Sequence, residues 1–536
     1  MRRSLVALAA AATCLAAWPA FAAGQATASH PAETQPKEQA PPAGKEIKPL
    51  KSVTHGVVTI GGQRIPYDAV AGTIILKNEE EKPTASMFYV AYFKSGVKDP
   101  STRPVTFLYN GGPGSSTIWL HMGAFGPERV VTSDHSHTPP APYELVNNDY
   151  SLLDASDLVF IDAPSTGYSR TISKEEGGAG VPKDFYSVDG DGRAFAQFVT
   201  QFLTDYSRWN SPKYLLGESY GTTRSAVLAY DLETRDDVDL NGVMLLSQIL
   251  NFDISNDDDP QHNPGMDLPY QLALPTYAAT AWYHHKLSGP LQSGDLPTLL
   301  KQVEQFAMNG YAKALEAGTT LPAAQAQQVA QQLAQYTGLS TAYWLKADLR
   351  VNGGEFEHQL LGPDETTGRL DTRFAGPSMD PMSREAEYDP QAAAISSAYV
   401  AAFNTYIRQT LDFKVDMPYR PEYYGSVLAH WDYLHAPPGT GQELYAATNV
   451  MPDLADAMKY NPDLKVMNNA GYFDLATPFY AAEYAMHHLA VDPSIAKNMS
   501  FAYYDCGHML YANMASLKQL HANLTHFIEQ TDNLKK

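Results

Sequence analysis

Cysteine is nearly absent: the 536 residues contain two, Cys14 and Cys506. Cys14 falls in an N-terminal stretch expected to be cleaved away, so a mature chain holds one thiol and no internal disulfide. Stability must then come from core burial rather than covalent staples. Basic residues are also few. Lys and Arg number 38 against 59 Asp and Glu, a formal charge of −21. No basic stripe offsets that field, which argues against nucleic acid and anionic membranes as partners. Long apolar runs are missing too. After the stretch Leu5 to Trp18, nothing approaches the roughly 20 apolar residues of a spanning helix, so no integral membrane segment is expected.

The first residues read as a secretory signal. Arg2 and Arg3 precede the apolar run, and Ala20-Phe21-Ala22 supplies an A-x-A cleavage site, giving a signal peptide over 1–22. Residues 23–52 are rich in Ala, Pro, Gln, Glu and Lys without apolar periodicity, the composition of a disordered linker. An Ala-rich signal on a disulfide-free chain predicts an exported bacterial protein, periplasmic or secreted. With 44% hydrophobic residues, the remainder is long enough to bury a large core.

Strand signals come first: Gly56 to Ile60, Ile65 to Leu76, Ser86 to Phe93 and Val105 to Tyr109. The early ones predict an antiparallel meander. The rhythm then changes. Asp157 to Ile161, Tyr214 to Leu216 and Val243 to Leu246 are short apolar strands, and helical spacing separates them over Phe195 to Leu203 and Thr222 to Leu232. Strands without alternation, interleaved with amphipathic helices, predict a parallel sheet covered on both faces. The pattern resumes with Leu464 to Met467, Met499 to Tyr504 and a closing helix from Met514 to Ile528. Between these halves the sheet signal fades, and Thr298 to Ala317 and Ala323 to Tyr336 read as helices. The expected organisation is a core over 53–255, an inserted helical cap over 256–446 and the rest of the core over 447–536.

The segment Gly217-Glu218-Ser219-Tyr220-Gly221 places a serine between glycines, after a strand and before a helix. That is the setting of a nucleophile elbow, with helix amides near a developing oxyanion. Serine needs a base and the base an orienter. Asp474 and His508 both follow late strands, in the order Ser, Asp, His expected of α/β hydrolases. A glycine-rich loop, Asn110-Gly111-Gly112-Pro113-Gly114-Ser115-Ser116, follows the strand at Val105 to Tyr109. It lacks the lysine of a phosphate-binding loop and suits backbone amides aimed at an oxyanion. A calcium-like start at Asp237 fails at its twelfth position, Gln248. The adjacent pairs His284-His285 and His487-His488 point apart on a helix, so no metal is expected.

Together, the NGGPGSS loop, the GESYG elbow, the loop ending at Asp474, the Gly507-His508-Met509 stretch and Asp162 to Ser169 resemble the serine carboxypeptidase family (peptidase family S10). The resemblance runs from about Val105 to His508, strong in the core and weak in the cap. It implies an α/β-hydrolase fold with a mixed, mostly parallel central sheet, an inserted mainly helical cap, and no cofactor. Carried over by position, Ser219 matches the nucleophile, His508 the general base and Asp474 its orienting partner. Gly112 and Tyr220 match the oxyanion-hole amides. Asn110, Gly111 and Glu218 match groups that hold the substrate's C-terminal carboxylate, and Met509 matches a residue lining the leaving-group pocket. The second glutamate of the family's eukaryotic members is replaced here by Ala124, with Glu128 nearby but offset.

The resulting expectation is an exported serine carboxypeptidase acting on peptides with a free C-terminus through an acyl-enzyme. A protonated Glu218 can donate to a substrate carboxylate, which an ionised one would repel, so burial that raises its pKa would serve that role. An esterase or acyltransferase on the same scaffold is the alternative that Ala124 keeps open. A non-catalytic binding protein is more distant, because Ser219, Asp474 and His508 are all present.

Overall fold

In the computed structural model, residues 47–256 and 263–534 are described. The expected signal peptide and most of the expected linker lie outside these residues. The linker's last residues do not: Lys51 already opens the first strand. That strand pairs along its whole length with the next, Lys51 facing Gly72 and Ile60 facing Gln63. Its alternating exposure shows why composition hid it. Only Val58 and Ile60 on this edge strand are fully buried, and the N-terminal half carries Lys51, Ser52, Thr54 and His55 instead of an apolar run.

Nine strands form the principal sheet: β1 (Lys51–Ile60), β2 (Gln63–Lys77), β3 (Pro83–Lys94), β4 (Val105–Tyr109), β5 (Asp157–Ile161), β6 (Lys213–Glu218), β7 (Gly242–Leu246), β8 (Lys465–Gly471) and β9 (Met499–Tyr504). Their order is β1-β2-β3-β5-β4-β6-β7-β8-β9, with the short strand Arg170–Thr171 added beside β3. The pairs β1/β2, β2/β3 and β3/β5 are antiparallel. From β5 to β9 every pair is parallel. The sheet is therefore mixed and mostly parallel, as its unalternating apolar strands predict.

Both faces are dry. Neighbouring residues of one strand enter different cores: Leu108, Leu216 and Leu246 join one cluster, while Phe107, Leu215 and Leu245 join the other. Helices α1 (Val188–Asp205), α2 (Tyr220–Thr234) and α7 (Met451–Tyr460) supply the second cluster. The first is covered by α6 (Pro390–Gln409) and α8 (Met514–Thr531). Caps set the helix starts. Ser187 Oγ accepts from Gly190 N at α1, and Asp389 accepts from Ala392 N at α6, where Pro390 fills the first position.

The long stretch between β7 and β8 divides in two. Helices α3 (Leu268–Tyr283), α4 (Leu296–Phe306) and α5 (Ala323–Thr337) share a separate apolar cluster with Phe473, Leu475 and Phe479. The helical pattern over Thr298 to Ala317 is continuous, with a π-type turn at Ala307–Tyr311 inside it. By contrast, α6 buries Ile395, Tyr399, Phe403 and Ile407 in the same cluster as Phe88 and Phe160 of the sheet. Among the described residues no helix is long and apolar enough to cross a membrane.

Candidate active site

The C-terminal ends of four parallel strands converge on one place, the usual ligand edge of an open α/β sheet. The glycine-rich loop leaves β4, the elbow leaves β6, the Asp474 loop leaves β8 and the His508 loop leaves β9. The backbone at Ser219 turns sharply, with φ 60° and ψ −132°, a region seldom occupied by residues with side chains and a local store of strain. Two contacts hold the turn: Ser219 N donates to Leu246 O at 3.0 Å and Thr222 N to Ser219 O at 2.7 Å. Helix α2 starts at the next residue.

Gly111 is where the β4 loop meets this turn. A Cβ there would lie 2.5 Å from both Tyr220 N and Gly221 N, closer than van der Waals contact allows. Only glycine lets the two backbones approach. Among the described residues the backbone N–H groups of Gly112 and Tyr220 donate no hydrogen bond. Both residues line a cavity of about 470 Å³ together with Ser219 and His508.

His508 Nδ1 and Asp474 Oδ2 are 2.8 Å apart, with Asp474 fully buried. Thr477 completes the carboxylate's shell: its N–H donates to Oδ1 at 2.9 Å and its hydroxyl to Oδ2 at 2.8 Å. Burial alone would lower the His508 pKa, but the Asp474 carboxylate, with Glu218 adding to it, brings the net shift upward. Ser219 Oγ makes no hydrogen bond to the ring, the loose arrangement common before substrate binds.

Glu218 is 4% exposed. Asn110 Nδ2 donates to its Oε1 at 2.8 Å, while Oε2 has no hydrogen-bond partner. The Asn110 amide is oriented by Leu120 N, which donates to Oδ1 at 3.1 Å. The Asn110 carbonyl accepts from Arg224 Nη1 at 2.8 Å, and Arg224 is paired in turn with buried Asp191. Desolvation pushes the Glu218 carboxyl up to about 7, with His508, Tyr511 and Asn110 acting the other way.

Of the nine residues singled out in the sequence, eight line the cavity: Asn110, Gly111, Gly112, Glu218, Ser219, Tyr220, His508 and Met509. Asp474 sits behind His508. The offset acid Glu128 does not line it, and its charge acts on Tyr67, Tyr92 and Tyr406. Ala124 is fully buried among apolar neighbours.

Sequence reasoning missed Thr477, although its spacing three residues after Asp474 is a local side-chain-to-backbone pattern that carries such bonds. It also missed Tyr511 beside Glu218, as well as the cavity wall from the insertion, which includes Asp389, Tyr424, Leu428 and Tyr433. Nothing local signals these, since they meet the cavity only through tertiary packing. Among the described residues no cluster of three or more His, Cys, Asp or Glu could hold a metal ion.

Sheet order, strand directions and the turn at Ser219 define an α/β hydrolase. Residues 64–268 match the family model described as serine carboxypeptidase. Serine carboxypeptidase-like 16 of Arabidopsis thaliana is 24% identical over 212 residues, which is 38% of this chain and 45% of the relative. Carboxypeptidase Y homolog A of Phaeosphaeria nodorum is 29% identical over 171 residues, 31% of this chain and 27% of the relative. The chain thus spans less than half the length of these curated relatives. A crystal structure of a prohormone-processing carboxypeptidase of Saccharomyces cerevisiae covers 88% of this chain and 93% of its own, with a TM-score of 0.52 at 15% identity. It shares the fold.

Proposed function

We propose that the protein is an exported serine carboxypeptidase of bacterial type, removing C-terminal residues from peptides through an acyl-enzyme. One observation carries this reading. A buried carboxyl, Glu218, is held by Asn110 at 2.8 Å and faced by the Tyr511 hydroxyl, in the cavity shared by Ser219 and His508. A protonated carboxyl held by a neighbouring amide at the cavity wall suits a terminal carboxylate.

His508 takes the Ser219 proton at Nε2 as Oγ attacks the scissile carbonyl, and Asp474 at Nδ1 steadies the imidazolium. The Gly112 and Tyr220 amides receive the oxyanion. His508 then returns the proton to the leaving amine, whose carboxylate lies against Asn110, Gly111 and Glu218 with Met509 beside its side chain. Water, deprotonated by the same histidine, releases the acyl group.

An esterase or acyltransferase is the second reading. It is favoured by apolar Ala124 and by Glu128 acting on tyrosines instead of on the cavity, which leave Glu218 without an acid at the family's partner position, Asp389 and Glu422 being the other acids of the cavity wall. Blocked dipeptides with free and amidated C-termini separate the two. A strong preference for the free acid is expected, and equal rates would favour the esterase. Fluorophosphonate labelling that survives Ser219→Ala would overturn both.

A further inference from the structure

The insertion does more than wall the cavity. Strands Glu365–Thr367 and Ala375–Pro377 pair as an antiparallel hairpin. The tip of that hairpin reaches the two loops that carry Asp474 and His508. On the Asp474 side, Leu475 N donates to Arg369 O at 3.1 Å and Thr372 N donates to Phe473 O at 2.9 Å. On the other side, His508 N donates to Leu370 O at 2.6 Å, and Gly507 N donates to Asp371 Oδ2 at 3.1 Å. The two loops also touch directly, Phe473 N donating to Cys506 O at 3.0 Å.

Gly507 shows how close the approach is. A Cβ there would lie 2.3 Å from Leu370 O and 2.4 Å from Asp371 Cβ. The tip itself is held from two directions. Asp389, the cap of α6, accepts from Arg369 N at 2.8 Å and Leu370 N at 2.6 Å. Asp371 is fully buried and takes a two-pronged ion pair from Arg373, with Nε at 2.9 Å from Oδ1 and Nη2 at 2.6 Å from Oδ2. A buried carboxylate paired this way has little freedom to move, because separating the charges would leave each unsolvated.

We infer that the hairpin tip registers the His508 loop against the Asp474 loop, with Asp371 as the positioning residue. Its carboxylate fixes Gly507 and hence the backbone from which the imidazole projects. The hydrogen bond between His508 and Asp474 then depends on an element of the insertion as well as on the sheet. The idea rests on the Ser219, His508 and Asp474 reading. Asp371 touches no substrate, and its effect runs through His508.

The test uses the full chain with Asp371→Ala, which removes the acceptor of the Gly507 N–H, and the double variant Asp371→Ala/Arg373→Gln, which removes both charges so that no unpaired ion is left buried. Activity is expressed per folded molecule, measured against an ester substrate across pH. The expected result is kcat lower by about 10- to 100-fold, as for a small misplacement of reacting groups, with KM within about twofold. A displaced acid limb of the pH profile, where His508 titrates, would accompany it. Unchanged kcat and an unchanged acid limb in either folded variant would overturn the inference. If wild-type Ser219 is not labelled by a fluorophosphonate, the catalytic reading itself falls. Labelled wild type with unaffected variants removes only the role of Asp371.

Discussion

Asn110 Nδ2 lies 2.8 Å from Glu218 Oε1 and fixes a carboxyl whose other oxygen is unpaired. The pair ties the loop after β4 to the end of β6, on either side of the glycine contact that brings those backbones together.

Desolvation pushes Glu218 up to about 7, so the carboxyl is mostly protonated below that pH and mostly ionised above it. A protonated Glu218 donates to a carboxylate; an ionised one repels it. Peptide cleavage should therefore weaken as pH rises through about 7, chiefly in KM, while ester cleavage follows His508 and persists. Glu218→Gln, which is always neutral, should remove the difference between the two profiles. Coinciding profiles in the wild type would count against this role.

The Thr477 hydroxyl donates to the Asp474 oxygen that also faces His508. Thr477→Val removes one hydrogen bond to a buried carboxylate, worth about 1.5–3 kcal/mol. If half of that is expressed in the transition state, kcat falls roughly tenfold or less. Asp474→Asn should be far more severe, about 10⁴-fold in kcat. Steady-state kinetics of the two variants give the comparison. Equal losses would mean that Thr477 does more than support Asp474.

Gly111→Ala places a methyl group against the backbone at the start of α2, where no side chain can yield. We expect a fall of about 100-fold or more in kcat and slower fluorophosphonate labelling. The cost in stability should be about 1–3 kcal/mol, as for other overpacked sites. Labelling at the wild-type rate would show that the contact is not needed.

Away from the cavity floor, His435 bridges Asp189 at 2.6 Å and Asp453 at 2.8 Å. Burial opposes its charge, yet the two carboxylates push it up to about 9. A histidine raised above its unfolded value of about 6.5 contributes stability that is full below about pH 6.5 and lost as pH rises through about 9. His435→Gln should be less stable at pH 6, by about 3 kcal/mol as for a broken buried pair. The gap to wild type should narrow by pH 10. Thermal melts across that range decide it, and a constant gap would rule out a charged His435.

How much of this was legible in the chain depends on how local each feature is. The elbow at Ser219 could be read because strand, turn and helix are adjacent in sequence and glycine marks where backbones meet. Parallel strands β4 to β7 were legible because a strand buried on both faces is mostly apolar, whereas β8 also buries Asn468 and Asn469. The start of β1 was hidden, since an edge strand with few buried side chains carries little apolar signal. Asp474 and His508 stand out by their position after late strands, and the sheet order β6-β7-β8-β9 carries those strands to the same side of the sheet as the strand that leads to Ser219. Other relationships came only from tertiary structure. The unpaired Glu218 oxygen, the separation of Glu128 from the cavity and the hairpin tip between the Asp474 and His508 loops depend on contacts between distant segments. Local residue types set which groups are available for chemistry, and long-range packing decides which lose water and which face one another.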